Sequence, residues 1–269
     1  MKKMGSMMIF QAQSIKDLLF AGNTLFHKIC IFGHLKLLKF FASSMDKNAF
    51  VDCIFQPDAI DNKPIDFAIT NLRSSVVKYL LEMEEVRNRF QNDDQLKFRT
   101  CFFLFALSSE VITDYVLTVL NIGKEDVINL IDYNPVTGGD RFNRYGLLCG
   151  IVWFGTYEAF LRFCNFIGKE AFIENAFVPD AYGDDVMEYC IQYKKMKCLE
   201  HVLSFDEIKN QYMTDNDKLF RLVQKFNRYI EYKEVVKYIV DNIGLTEAKL
   251  KELKAYRDIS IENIIPFTK

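Results

Sequence analysis

Three side chains near the start of the chain have the types and spacing that metal chemistry uses. His27, Cys30 and His34 stand at i, i+3 and i+7, and on one continuous helix they could offer two imidazoles and a thiolate to a zinc ion. Gly33 argues against this, because a glycine there ends the helix and turns His34 off the face that His27 and Cys30 share. A nucleophilic Cys–His pair would have to use His201 with Cys149 or Cys164, plus a third group to orient the imidazole. No local signature marks such a set, and a lone histidine on the apolar face of Met196–Leu203 reads as a packed residue. Gly138-Gly139 lacks the Lys and Ser/Thr that a phosphate-cradling loop needs. Asp114, Asp126 and Asp132 lack the spacing of a calcium loop. These readings give no catalytic residue, no metal ligand and no cofactor.

The elements behind these residues read as helices. Half of the 269 residues are apolar, and no Ser/Gly/Pro-rich linker interrupts them, which predicts one continuous domain. Lys+Arg 34 against Asp+Glu 36 gives a formal net charge of -2, so no global field favours nucleic acid. The basic segments Lys194-Lys195-Lys197 and Lys249-Lys251-Lys254 alternate with acids or hydrophobes and read as solvated helix faces. The 7 cysteines are scattered singly without C-x-x-C spacing, which predicts free thiols in a reducing, cytoplasmic setting. The apolar run before Gln11 is too short for a signal-peptide core. The longest one, Gly146–Gly155, has about half the roughly 20 residues of a membrane helix. The expectation is therefore a soluble protein without membrane insertion.

One pattern recurs along the chain. A shift of 39 places Leu25 on Pro64, Ile29 on Ala68 and Leu37-Leu38 on Val76-Val77. A shift of 122 puts Ile29-Cys30 on Ile151-Val152 and Gly33 on Gly155. A shift of 161 puts Gly22 on Gly183 and Leu37-Leu38 on Cys198-Leu199. Val235–Val240 nearly repeats Val76–Leu81, while Phe98–Leu120 is helical and apolar without a legible register. The segment Gly22–His34 (G-x-T-x-apolar-H, then G-H, followed by the amphipathic Leu35–Phe41) resembles the ankyrin repeat, whose consensus runs G-x-T-P-L-H-x-A-A-x-x-G-H-x-x-V-V-x-L-L. Asp180–Gly183 keeps the D-x-x-G lead-in of the ankyrin finger, and Pro64 sits where the first helix begins. The departures are large. His27 gives way to Asp66, Cys149 and Glu188, and the Gly-His of the turn becomes Leu72-Arg73 and Lys194-Lys195.

The resemblance implies an all-α fold, an ankyrin-repeat-like solenoid of about six helix–turn–helix units. Residues 1–21 hold an N-terminal segment and capping helix (Ser14–Phe20), 22–243 the divergent array, and 244–269 a capping helix and tail. It gives His27 a structural place, closing the turn before the first helix, with Cys30 in a small buried slot. It also implies a non-enzymatic protein–protein interaction module, an adaptor or scaffold that is a monomer in isolation, with a protein as partner. Two other readings stay open: an effector that a microbe delivers into a host cell, and an enzyme with an unrecognised degenerate site.

In ankyrin arrays the partner-facing positions are the finger tips and the two residues before the turn glycine. Carried over, these are Ile31 and Phe32, Thr70 and Asn71, Trp153 and Phe154, and Gln192 and Tyr193. The finger positions are Asn23, Asn62, Tyr145 and Asp184, with Arg141, Phe142, Arg144 and Tyr182 alongside. Three of the four helix pairs contain an aromatic residue, and the single Trp is among them. Large aromatics and Arg are the residues that dominate interface energetics.

Overall fold

The computed structural model describes residues 24–131, 133 and 145–268, and all regular structure among them is helical. They divide into two compact units, with the boundary after Asp126. The first unit carries α1 (Leu25–Phe32), α2 (Leu35–Ser44), α3 (Lys47–Phe55), α4 (Pro64–Thr70), α5 (Ser74–Glu82), α6 (Glu84–Gln91), α7 (Asp94–Leu107) and α8 (Glu110–Leu120). The boundary falls inside α9 (Lys124–Asn129). The second unit carries α10 (Leu147–Phe154), α11 (Tyr157–Ile167), α12 (Lys169–Asn175), α13 (Val186–Gln192), α14 (Met196–Val202), α15 (Asp206–Thr214), α16 (Asn216–Arg228), α17 (Lys233–Ile243) and α18 (Glu247–Tyr256).

The helix starts recur at fixed intervals. From Leu25 to Leu147, and likewise through Asp94 to Asn216, seven successive starts in the second unit lie 122 residues after their counterparts. The last two, Lys233 and Glu247, lie 123 residues after Glu110 and Lys124. The sequence predicts helix pairs, but each of the six pairs is followed by a third helix: α3, α6, α9, α12, α15 and α18. Asp46 shows why α3 forms, because its carboxylate accepts from the N–H groups of Asn48 and Ala49 and caps the helix.

Packing follows the same order in each unit. Helix α4 lies against α1 and α7, and α5 lies against α2 and α8. In the second unit α13 lies against α10 and α16, and α11 lies against α14. Because α4 is covered on both sides, all residues from Pro64 to Ile69 are buried, the signature of a helix with no solvent face. Helix α16 is different. Leu219, Leu222, Val223 and Phe226 are buried, while Gln224 and Arg228 face solvent.

Three local devices hold the repeats in register. The first is the finger. Asp58 accepts from the N–H groups of Ile60 (2.9 Å) and Asn62 (2.8 Å), and Asp61 takes a left-handed φ of 66°. After 122 residues Asp180 repeats the loop, accepting from Tyr182 (2.8 Å) and Asp184 (3.0 Å), with Gly183 at φ 81°.

The second device reaches from one repeat to the next. His27, Asp66, Cys149 and Glu188 all occupy the third position of their helices. The His27 Nδ1 accepts from the Thr24 N–H (3.0 Å), which leaves Nε2–H to donate to the Asn62 carbonyl (2.9 Å). Cys149 Sγ donates to the carbonyl of Asp184 (3.5 Å), the equivalent finger position. Asp66 and Glu188 fold back onto the N–H of Lys63 and Asp185, each at 2.9 Å.

The third device is the turn between paired helices. Gly33, Leu72 and Lys194 all hold positive φ there, at 74°, 58° and 53°. The basic residue that follows in the next repeat reaches back: Arg73 Nε donates to the Ile31 carbonyl (2.7 Å) and Lys195 Nζ to that of Gly155 (3.0 Å). A Cβ on Gly33 would stand 2.9 Å from the Arg73 Cδ. Glycine takes this φ without the strain that Leu72 and Lys194 accept, and a side chain at Gly33 would also have to displace the Arg73 side chain.

The zinc geometry does not form. His27 and Cys30 are buried with His27 fully bonded, while His34 is exposed at the start of α2. At the far end Thr246 caps α18, accepting from the Lys249 N–H. The expected helix at Ser14–Phe20 lies outside the described residues.

Two stability changes follow. Replacing His27 with Ala orphans the Asn62 carbonyl and the Thr24 N–H, and should cost about 1–3 kcal/mol in urea unfolding. Replacing Leu72 with Gly removes a left-handed strain of about 1–2 kcal/mol and adds about 0.5–1 kcal/mol of unfolded-chain entropy. A net gain of roughly 0.5–1 kcal/mol is expected, and a loss would show that Leu72 packs rather than merely turns.

Candidate functional site

A cluster of partly exposed aromatic side chains lies in the second unit, and one ring organises it. Tyr145 sits 4.3 Å from Trp153, 6.3 Å from Phe154 and 5.8 Å from Tyr182, centroid to centroid. Trp153 in turn stacks on Tyr193 at 5.4 Å with the planes 23° apart. Trp153 and Phe154 are the last two residues of α10, and Tyr193 follows α13, so the 39-residue repeat brings them side by side. Tyr182 is carried on the finger closed by Asp180 and is 56% exposed. A cluster of this kind costs free energy in water, because none of these rings is fully covered.

Beside it opens a cavity of about 690 Å³. The finger residues Tyr182–Asp184 form one side, and α13 contributes Glu188, Tyr189 and the Gln192-Tyr193 end. Helix α16 closes it with Arg221, Gln224, Lys225 and Arg228, which the helical period places on one face. Lys225 is buried and forms an ion pair with Asp184. Tyr189 donates to Asp180 (2.6 Å) and Tyr212 to Asp185 (3.2 Å), so the buried carboxylates behind the cavity are bonded.

Burial sets the protonation of the wall. It is the main reason that the Tyr145 hydroxyl is pushed up to about 12, with Tyr182 adding to it, and the Tyr193 hydroxyl is raised mainly by the same cause. Both remain neutral hydrogen-bond donors at ordinary pH. Glu188 rises to about 7, first through burial and then through the Asp185 carboxylate beside it, against the opposing Asp185 N–H bond and the Lys225 charge. At neutral pH the cavity thus carries three cations, the Asp184 carboxylate and a partly protonated Glu188.

The residues expected at a partner surface separate into groups. Tyr145, Trp153, Phe154, Tyr182, Asp184 and Tyr193 come together here. Ile31, Phe32 and Asn71 belong to the first unit. There Ile31 is half-buried and Phe32 is 55% exposed. Asn71 ends α4, donating to the Phe67 carbonyl. Arg141, Phe142 and Arg144 lie outside the described residues. Sequence reasoning missed Arg221, Arg228 and Gln224. Their signal was the i, i+3, i+7 spacing of polar residues opposite Leu222, Val223 and Phe226, a pattern any surface helix shows.

The cysteines and His201 read at first as possible nucleophile and base are held in their neutral forms by burial. Burial, as the largest cause, raises all seven cysteine thiols, those of Cys30 and Cys101 to about 12. His201 packs edge-on to Phe160 and Phe205, and burial lowers its basicity. No group of three or more His, Cys, Asp or Glu among the described residues is placed to hold a metal ion, and no described helix is long and apolar enough to cross a membrane.

The raised Glu188 pKa makes stability depend on pH. Between the ordinary glutamate value and about 7 the folded state keeps a proton that the unfolded chain releases, so stability falls as pH rises through that window. Against Glu188→Gln, which keeps the acceptor for the Asp185 N–H, the wild type should lose on the order of 1–3 kcal/mol from pH 5 to pH 8. Parallel unfolding curves at both pH values would place the titration elsewhere.

Comparison with family models, with curated proteins and with solved structures gives no match to the chain, so its functional reading rests on these side chains.

Proposed function

We propose that the protein is a non-enzymatic interaction module of ankyrin-like design that binds a protein partner on the aromatic face of its second unit. The ankyrin-like reading is supported by three features. The second helix of four pairs starts ten residues after the first (Leu25 to Leu35, Pro64 to Ser74, Leu147 to Tyr157, Val186 to Met196). Side chains at the third helical position of α1 and α10 bond to the next finger. A left-handed turn stands where the ankyrin consensus has glycine in three of the four pairs, at Gly33, Leu72 and Lys194, while Gly155 is extended. The third helix of each repeat is this chain's own addition. The protein works in the cytoplasm and is a monomer in isolation.

The observation that carries the binding role is the ring cluster of Tyr145, Trp153, Phe154 and Tyr193. Its members interlock with one another yet stay partly open to water. Rigid aromatics with a polar tip lose little side-chain entropy on binding and supply the anchors of protein interfaces.

The test is capture of partners from the cognate cell by immobilised protein, compared with Trp153→Ala. Truncating an aromatic anchor costs about 2 kcal/mol, or roughly thirtyfold in affinity. A partner retained by wild type and lost by a folded Trp153→Ala protein is the expected result. Retention of every partner by the folded variant would overturn the assignment of binding to this face, and unfolding of the variant would place Trp153 in the core.

A further inference from the structure

The two units place an arginine at the same point and use it differently. Arg99 in α7 and Arg221 in α16 are 122 residues apart. In the first unit the Arg99 side chain is fully buried. It donates through Nε to Asp66 (2.8 Å) and through Nη2 to the Asn62 side chain (2.7 Å). It also pairs with Asp61 at 3.3 Å and lies 5.1 Å over the Phe103 ring. The guanidinium is consumed by the fold.

In the second unit each of those partners is changed. Glu188 stands for Asp66, Asp184 for Asn62, Gly183 for Asp61 and Lys225 for Phe103. Lys225 takes the Asp184 carboxylate. Gly183 has no side chain to offer, and the Glu188 carboxylate is engaged by the Asp185 N–H at 2.9 Å. Arg221 therefore makes no hydrogen bond or ion pair among the described residues, although its charge opposes the rise that burial causes in the Asp185 pKa. One turn pair further along α16, Arg228 replaces Ala106 and is likewise without such a partner among them. Both line the 690 Å³ cavity, where Tyr145, Tyr182 and Tyr193 add hydroxyl donors.

We propose that this cavity receives an acidic segment of the protein partner, with Arg221 and Arg228 each taking a carboxylate and the Trp153 ring cluster taking the apolar side chain beside it. This rests on the interaction-module reading and names the chemistry of what binds. Seven residues apart on one helix, the arginines are separated by about 10 Å along the axis. An extended peptide advances about 3.3 Å per residue. Two acids two to four residues apart match that spacing, and a guanidinium binds a carboxylate with two parallel bonds. A phosphate backbone fits less well. The chain has no basic excess to follow a strand beyond the cavity.

A random 12-residue peptide library displayed on phage and sorted on the full chain tests this. Wild type should enrich peptides with paired Asp or Glu next to an aromatic or aliphatic residue. The Arg221→Gln/Arg228→Gln protein should lose the acidic preference and keep the apolar one. The best peptide, made with a fluorescein label, should bind roughly tenfold more weakly to each single variant. Arg228 is exposed, so Arg228→Gln reports even if Arg221→Gln disturbs folding. Enrichment of apolar peptides without acids would overturn this inference and leave the module reading standing. So would an acidic preference that survives Arg228→Gln and the double change. No enrichment by wild type would sink the module reading itself. Tighter binding of a fluorescein-labelled 20-nucleotide oligouridine, lost in the double variant, would give the arginines to phosphates and overturn the proposal.

Discussion

The carboxylates of Asp58 and Asp180 are the constraint on which the rest of each unit depends. Each closes its finger by accepting two backbone N–H groups, and in doing so fixes where the carbonyl of the fourth residue on points. That carbonyl is what His27 and Cys149 bond, one repeat earlier. A short loop would otherwise leave these groups to water, and a buried, unpaired carbonyl costs about as much as a lost hydrogen bond. With the finger closed, the first helices of successive repeats are held in one register, and buried apolar surface does the rest. The thiol of Cys149 is a weaker donor than the imidazole of His27, so the second unit leans more on packing, as its burial of Leu147 through Val152 shows.

Repetition after 122 residues turns the molecule into its own control. The same backbone positions carry Phe55 with Phe90 in one unit and Phe177 with Tyr212 in the other, the ring pairs 5.5 and 5.1 Å apart. Against that constancy the changes around Arg99 and Arg221 stand out, because they redistribute charge without moving a helix start. A guanidinium buried in a ring of acceptors is satisfied and inert. The same group beside a lysine that has already taken the nearest carboxylate makes no ion pair among the described residues.

Much of this was legible in the residues, and the limits were physical. Helices announced themselves through apolar spacing, and the alignment of His27 with Asp66, Cys149 and Glu188 picked out one structural position correctly although four different chemistries occupy it. Leu72 and Lys194 were found at the turn by register alone, since nothing about leucine or lysine signals a positive φ. The repeats that resisted alignment are the ones where α7 and α16 run 14 and 13 residues and extend through the stretch that a finger occupies elsewhere. There the sequence keeps its apolar positions and loses its turn residues, so the period has nothing to lock onto. Two of the third helices, α6 and α15, were missed because they are mostly polar and bury only two residues each, Val86 with Phe90 and Ile208 with Tyr212.

The basic side of the cavity was hidden for a related reason. Arg221 and Arg228 look on paper like the solvated face of an amphipathic helix, and for most such helices that is the whole story. What changes their meaning is tertiary. The finger delivers Tyr182 and Asp184 opposite them, Lys225 neutralises the aspartate, and burial holds Glu188 partly protonated. A cation acquires a role when the fold has spent its neighbouring anions elsewhere, and that subtraction is visible only once both the helix and the finger are in place. The two units differ in these side chains while their helix starts keep the same spacing, so the change in charge leaves the register that holds the repeats together undisturbed.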